Sequence, residues 1–183
     1  MARIYLVRHG KAATTWDDRD PDPGLDDVGR AQAEARAAEF AGRGPLPLVT
    51  SPLRRTRETA AALERQWNTI ARVDQRVGEI QSPSNAHAQR IEWLKNVLGR
   101  RWRELGEPLQ SWRSQILEAL LEITCDTVVV SHFVAINVAV GYALADDRVT
   151  CFRPDNCSCT VLDIQGSRLQ VVGLGAEGAG RIL

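Results

Sequence analysis

Neither sign of charge predominates in this 183-residue chain, in which 23 Lys and Arg face 23 Asp and Glu. That balance excludes a strongly basic nucleic-acid binder, whose hold on phosphate backbones needs an excess of Lys and Arg on one face, and leaves room only for a local basic pocket. Long hydrophobic runs are lacking too. Nothing approaches the roughly 18 consecutive apolar residues of a membrane span, and Arg8 and His9 interrupt the amino-terminal apolar run before a signal-peptide core is reached. The expectation is a cytoplasmic protein that binds neither nucleic acid nor membrane. Cysteine is sparse: Cys125, Cys151, Cys157 and Cys159 lie in the last third without paired C-x-x-C spacing. Zinc at Cys151, Cys157 and Cys159 would want a fourth ligand that this neighbourhood does not offer. The thiols are read as reduced, and neither a metal nor another cofactor is expected.

What is present is globular. Hydrophobic residues make up 44% and charged residues 25% of the chain, far from the composition of disorder. A domain of this length buries roughly 70% of the surface its unfolded chain exposes, so a single domain over 1–183 needs no staple. No repeat or low-complexity block occurs apart from a Gly-rich tail, 173–180, which is read as a frayed end.

Along the chain, short apolar runs alternate with helical segments. ARIYLV at 2–7 reads as a buried strand that stops at Arg8-His9-Gly10. A polar loop at 16–24 leads into an Ala-rich helix from Asp26, and LPLVT at 46–50 reads as a second strand. Ser51 as N-cap with Pro52 at the first helical position then predicts a helix from Pro52 to about Trp67. A weak strand at 71–73, a break at 79–83, and helices at 86–104 and 108–123 follow. TVVV at 127–130 is the clearest parallel strand, and Ser131-His132 leads from it into the apolar helix FVAINVAVGYAL. Two last strands, 158–164 and 168–174, read as an edge hairpin. The alternation implies an α/β sandwich on a mostly parallel sheet.

Ligands of open α/β sheets sit beyond the carboxyl ends of the strands, where His9 and His132 both lie. His87, in a helical segment without ligand spacing, is given no role. Arg8-His9-Gly10 resembles the R-H-G signature of the histidine phosphatase superfamily, the phosphoglycerate mutase-like enzymes. TSPLRRTRETA at 50–60 resembles the family's S-P-L-x-R-x-x-x-T-A segment, with Arg55 at its arginine. RVGEI at 76–80 resembles the segment carrying its acid/base glutamate, with Glu79 at that place. VVVSHFVAIN at 128–137 resembles the segment with the second pocket histidine, here His132. These segments, in the family's order, imply a three-layer α/β/α fold, phosphoglycerate mutase-like, with His9 as nucleophile.

The residue types suit that chemistry. Arg8 and Arg55 offer guanidinium forks to a phosphate dianion, and His132 at a helix N-terminus adds a donor where the dipole also favours an anion. A neutral imidazole of His9 is able to attack phosphorus and form a phosphohistidine. Glu79 is able to protonate the leaving alkoxide and later deprotonate water if its surroundings keep it partly protonated. No metal is required for these steps.

Three places depart from the family pattern. After R-H-G the chain reads Lys11-Ala12-Ala13-Thr14-Thr15 in place of Glu or Gln with Thr or Ser, so Lys11 is either an extra cation at the mouth or a solvated loop lysine. Phe133 replaces the Gly that commonly follows the pocket histidine; it keeps the backbone N–H and is expected to narrow the pocket or join the core. The stretch after Glu79 is Ile80-Gln81-Ser82-Pro83. Specificity is assigned to a segment at about 81–110, holding Arg90, Trp93, Lys95, Arg100, Arg101, Trp102 and Arg103, unless this is a solvated helical surface with aromatic core contacts.

The resemblance therefore implies a metal-independent phosphatase acting on a small phosphorylated substrate or a phosphoprotein. A phosphoglycerate mutase-type phosphotransferase is the alternative, disfavoured because the chain is short for a mutase, and a non-catalytic phosphate-binding protein is another. The sequence carries no reading of oligomeric state.

Overall fold

Ala2–Arg8 forms β1, and its side chains alternate between two cores. Ile4 and Leu6 enter one hydrophobic cluster and Tyr5 and Val7 the other, as period-two geometry requires of a strand buried on both faces. The computed structural model describes residues 2–13, 20–84 and 87–178; residues 16–19 of the expected loop lie outside them.

The chain continues through α1 (Asp27–Glu39), β2 (Leu48–Thr50), α2 (Arg54–Trp67), β3 (Arg72–Val73), α3 (His87–Leu98), α4 (Glu107–Leu121), β4 (Thr127–Ser131), α5 (Phe133–Leu144), β5 (Cys159–Gln165) and β6 (Arg168–Gly173). The six strands form one sheet in the order β3-β2-β4-β1-β5-β6. Pairing is parallel from β3 through β1 and antiparallel at β5 and β6, so the sheet is mostly parallel with a hairpin on its edge. Residues of α1 and α2 share a core with Tyr5, Val7, Val128 and Val130. Residues of α3, α4 and α5 share the other core with Ile4, Leu6 and Val129. This is the three-layer α/β/α sandwich expected.

The register decides where chemistry collects. Arg8 lies opposite Ser131, and Thr50 lies opposite Val130. His9 and His132 therefore leave the sheet at one level, and Ser51 leaves the adjacent parallel strand one residue before it.

Three expectations change. The second helix begins at Arg54, not Pro52, and Ser51 does not cap it: the N-cap is Leu53, which makes no side-chain cap. The Asp22 carboxylate accepts the Arg54 N–H instead, at 3.0 and 2.9 Å. The expected 86–104 helix stops at Leu98, and Trp102 sits in a separate 3₁₀ turn, fully buried in the core. Finally, the tail to residue 178 is tied down rather than frayed. Gly175 N–H donates to Thr160 Oγ1 at 3.1 Å, Glu177 pairs with Pro154, and Gly178 N–H donates to the Arg153 carbonyl.

Candidate active site

The loop leaving β1 is built for close approach. A Cβ on Gly10 would meet the Gly29 carbonyl at 2.6 Å, and one on Gly29 would meet the Lys11 carbonyl at 2.1 Å, so two glycines let the loop lie on the first turn of α1. Gly10 N–H donates to Thr59 Oγ1 at 3.0 Å, and Thr59 in turn donates to the Arg55 carbonyl at 2.7 Å. The His9 and Arg55 segments are thus fastened together through the Thr of the S-P-L-x-R-x-x-x-T-A segment. On the other side Asn156 Nδ2 donates to the His9 carbonyl at 3.0 Å, and Cys157 N–H, at a positive φ of 54°, donates to the Arg8 carbonyl.

His9 has its two ring nitrogens in different situations. Nδ1 is 2.7 Å from the Gly10 carbonyl, which only accepts, so Nδ1 carries the hydrogen. Nε2 then presents a lone pair, and it accepts from Arg55 Nε–H at 3.3 Å. Burial, reinforced by Arg55 and Arg8, holds the imidazole well below its usual pKa, so the neutral ring persists at pH 7. His132 stands beside it, ring centroids 5.2 Å apart, and is held low for the same reasons, burial first.

Arg8 and Arg55 are each only 3% exposed. Arg8 donates to the Pro154 carbonyl at 2.9 Å and lies 5.3 Å over the Phe133 ring, while Asp22 comes within 3.9 Å of Arg55. Burial lowers both guanidinium pKa values and Glu79 opposes it electrostatically. Glu79 is itself pushed up by burial, against the Ile80 N–H, Arg55 and Arg8; its Oε1 accepts from Ile80 N–H at 2.9 Å. Two buried cations, two neutral imidazoles and a proton-retentive carboxyl therefore share one electrostatic neighbourhood, suited to a dianion and to proton transfer beside it.

All five sequence-predicted site residues come together here. Others do not. Lys11 is drawn to the N-cap of α1, its ammonium 2.8 Å from Asp26, and it does not line the cleft over the site. Phe133 is buried in the core. That cleft, about 470 Å³, is lined by Arg55 and Glu79 and also by Gln81, Ser82, Ser84 and Arg90. Lys95, Arg100, Arg101 and Arg103 stay exposed outside it, and Trp93 packs on the core. Trp112 and Gln115 of α4 also line it, and sequence reasoning missed them because they lie beyond the assigned segment. Ser51 and Asn156 were missed as well; Ser51 stood in the S-P-L motif, whereas Asn156, in a turn-rich stretch, gave no signal.

Comparison with known proteins bears on the family and the fold. A curated relative from Thermoplasma acidophilum, named as a 2,3-bisphosphoglycerate-dependent phosphoglycerate mutase, is 26% identical across 94% of this chain and 92% of its own. A chain of similar size thus bears the mutase name, and shortness is no argument against one. Glucosyl-3-phosphoglycerate phosphatase of Mycobacterium tuberculosis is 36% identical, over 42% of this chain and 36% of that enzyme. Among solved structures, phosphoserine phosphatase from Entamoeba histolytica superposes with a TM-score of 0.76 at 20% identity, covering 96% of this chain and 98% of that one. A family model matches residues 4–177, nearly the whole length, and by that match the chain belongs to the histidine phosphatase superfamily, branch 1.

Proposed function

We propose that the protein is a phosphomonoester phosphatase of the cytoplasm, a single domain that works through a phosphohistidine on His9 and needs no metal. The observation that carries this is the His9 ring: Nδ1 is committed to the Gly10 carbonyl, and Nε2 keeps its lone pair beside Arg55. In the proposed reaction Arg8, Arg55 and His132 hold the non-bridging oxygens. His9 Nε2 attacks phosphorus as the bond to the leaving oxygen breaks, and Glu79 gives that oxygen its proton. Water then attacks the phosphohistidine, Glu79 takes its proton, and inorganic phosphate leaves.

The substrate is a small phosphorylated compound. The cleft's size supports this, as does the Entamoeba enzyme, whose structure is a complex with 3-phosphoglyceric acid. Of the segment at 81–110, Gln81, Ser82, Ser84 and Arg90 line the cleft with Trp112 and Gln115, which supports a role for them in choosing it. A second reading, transfer of the phosphoryl group to a substrate hydroxyl instead of water, rests on the full-length likeness to the Thermoplasma mutase.

The test is phosphate release from p-nitrophenyl phosphate and a panel of alkyl phosphomonoesters, with chelator present, for wild type, His9→Ala and Glu79→Gln. His9→Ala should abolish turnover. Glu79→Gln should slow alkyl esters by about 100-fold or more and the nitrophenyl ester far less, because its phenolate needs little protonation. Undiminished turnover in His9→Ala sinks the nucleophile; equal losses on both ester types sink the acid. Isomerised phosphoester without released phosphate favours the mutase reading.

A further inference from the structure

Ser51 and His132 form a buried pair, and the reaction above gives a task to His132 but none to Ser51. Both are 0% exposed, and Ser51 Oγ lies 2.8 Å from His132 Nε2. The remaining polar groups of Ser51 are engaged. Its N–H donates to the Val130 carbonyl at 3.2 Å, and its carbonyl accepts from Thr56 Oγ1 at 3.0 Å and Thr50 Oγ1 at 3.2 Å. Its hydroxyl oxygen accepts from Leu53 N–H at 3.3 Å. The hydroxyl hydrogen is thus left for Nε2, the acceptor recorded within its reach among the described residues. A second observation lies across the ring: His132 Nδ1 is buried and has no hydrogen-bond partner among the described residues.

We propose that Ser51 is the positioning residue of the phosphate site: its hydroxyl donates to His132 Nε2, fixes the ring as the neutral Nδ1–H tautomer, and aims that N–H at a phosphate oxygen. This rests on the phosphate site proposed above and says how one of its donors is made. A histidine that is neutral binds an anion only through the nitrogen that carries hydrogen. With two buried guanidiniums already present, a third cation would add desolvation and repulsion, whereas an N–H adds a hydrogen bond without either. The register supplies the geometry, since Ser51 follows Thr50 and His132 follows Ser131 on neighbouring strands β2 and β4.

The experiment is nitrogen NMR of ¹⁵N-histidine-labelled protein at neutral pH, with His132 assigned by difference from His9→Gln and His87→Gln. Wild type should show hydrogen on Nδ1 and a bare Nε2, and inorganic phosphate should move the Nδ1 resonance. Ser51→Ala should lose the fixed tautomer and bind phosphate about tenfold more weakly, the scale of a hydrogen bond to a charged group, with recovery in Ser51→Thr. Hydrogen on Nε2 or on both nitrogens in the wild type overturns the proposal, whether or not Ser51→Ala folds. A bare Nε2 with an Nδ1 resonance that phosphate leaves unmoved also overturns the proposal, and a phosphate-dependent rise in Tm of the wild type shows whether the phosphate site itself survives, which separates the two failures.

Discussion

His9 and His132 are buried imidazoles beside two guanidiniums, and the cost of protonating them bears on the stability of the chain as well as on catalysis. Each has a folded pKa well below 6.5, so below that pH the unfolded chain binds protons that the folded chain does not, and stability falls as pH falls. Glu79, raised above 4.5, acts in the opposite sense at lower pH, because there the folded state holds the extra proton. Between about pH 7.5 and 5.5 the histidine contribution prevails, approaching about 1.4 kcal/mol per pH unit for each ring. The urea midpoint of wild type should therefore fall across this interval, and in His9→Gln the fall should be about half as steep. A flat wild-type profile would contradict the buried neutral rings. Four of the five site residues were legible because R-H-G, S-P-L-x-R and S-H each sit where a strand ends, and Glu79 was legible only through the R-V-G-E-I resemblance. The tautomers were not, because they depend on which carbonyl or hydroxyl faces each nitrogen.

At the scale of elements, the site depends on a loop that belongs to none of the motifs. Residues 151–157 bring the Pro154 carbonyl to Arg8 and Asn156 to the His9 carbonyl. They are held to α5 by Asn137, buried in an otherwise apolar helix. Its Oδ1 accepts from Cys151 N–H at 2.8 Å and Phe152 N–H at 3.1 Å, and its Nδ2 donates to the Phe133 carbonyl. Asn137→Ala leaves two backbone donors unpaired, so it should cost about 2–4 kcal/mol and lower kcat/KM with it; urea unfolding and steady-state kinetics check both. A loss below about 1 kcal/mol would mean that the loop finds other partners. A lone Asn within FVAINVAVGYAL is a signal for such a clamp. The helix ends were read less well. Ser51 has the residue type of an N-cap, but its hydroxyl faces His132 and the cap comes from distant Asp22. Trp102 stands in a run of arginines yet is buried in the core, while Arg100, Arg101 and Arg103 around it are exposed.

Across the whole molecule, alternation of strands and helices and the terminal hairpin were readable from apolar periodicity, but the strand order was not. Parallel neighbours are chosen by crossovers, and a run such as TVVV fits any central position equally. The order matters because it sets β1, β4 and β2 side by side, and their shared register gathers residues far apart in sequence at one edge of the sheet. An anion bound there contacts the ends of several elements at once, so its binding energy should appear as stability of the entire fold. Inorganic phosphate at about 100 times its Kd should add about 2.7 kcal/mol, which for a chain of this size raises Tm by about 5–10 °C. Potassium chloride of equal ionic strength serves as the control, since screening alone acts on exposed charges and leaves a buried pair of guanidiniums nearly untouched. Arg55→Gln, which removes one fork, should lose most of the phosphate-specific rise. An equal rise in wild type and Arg55→Gln would place the anion elsewhere on the surface, and no rise in either would mean that Arg8 and Arg55 do not form a phosphate site in the folded protein.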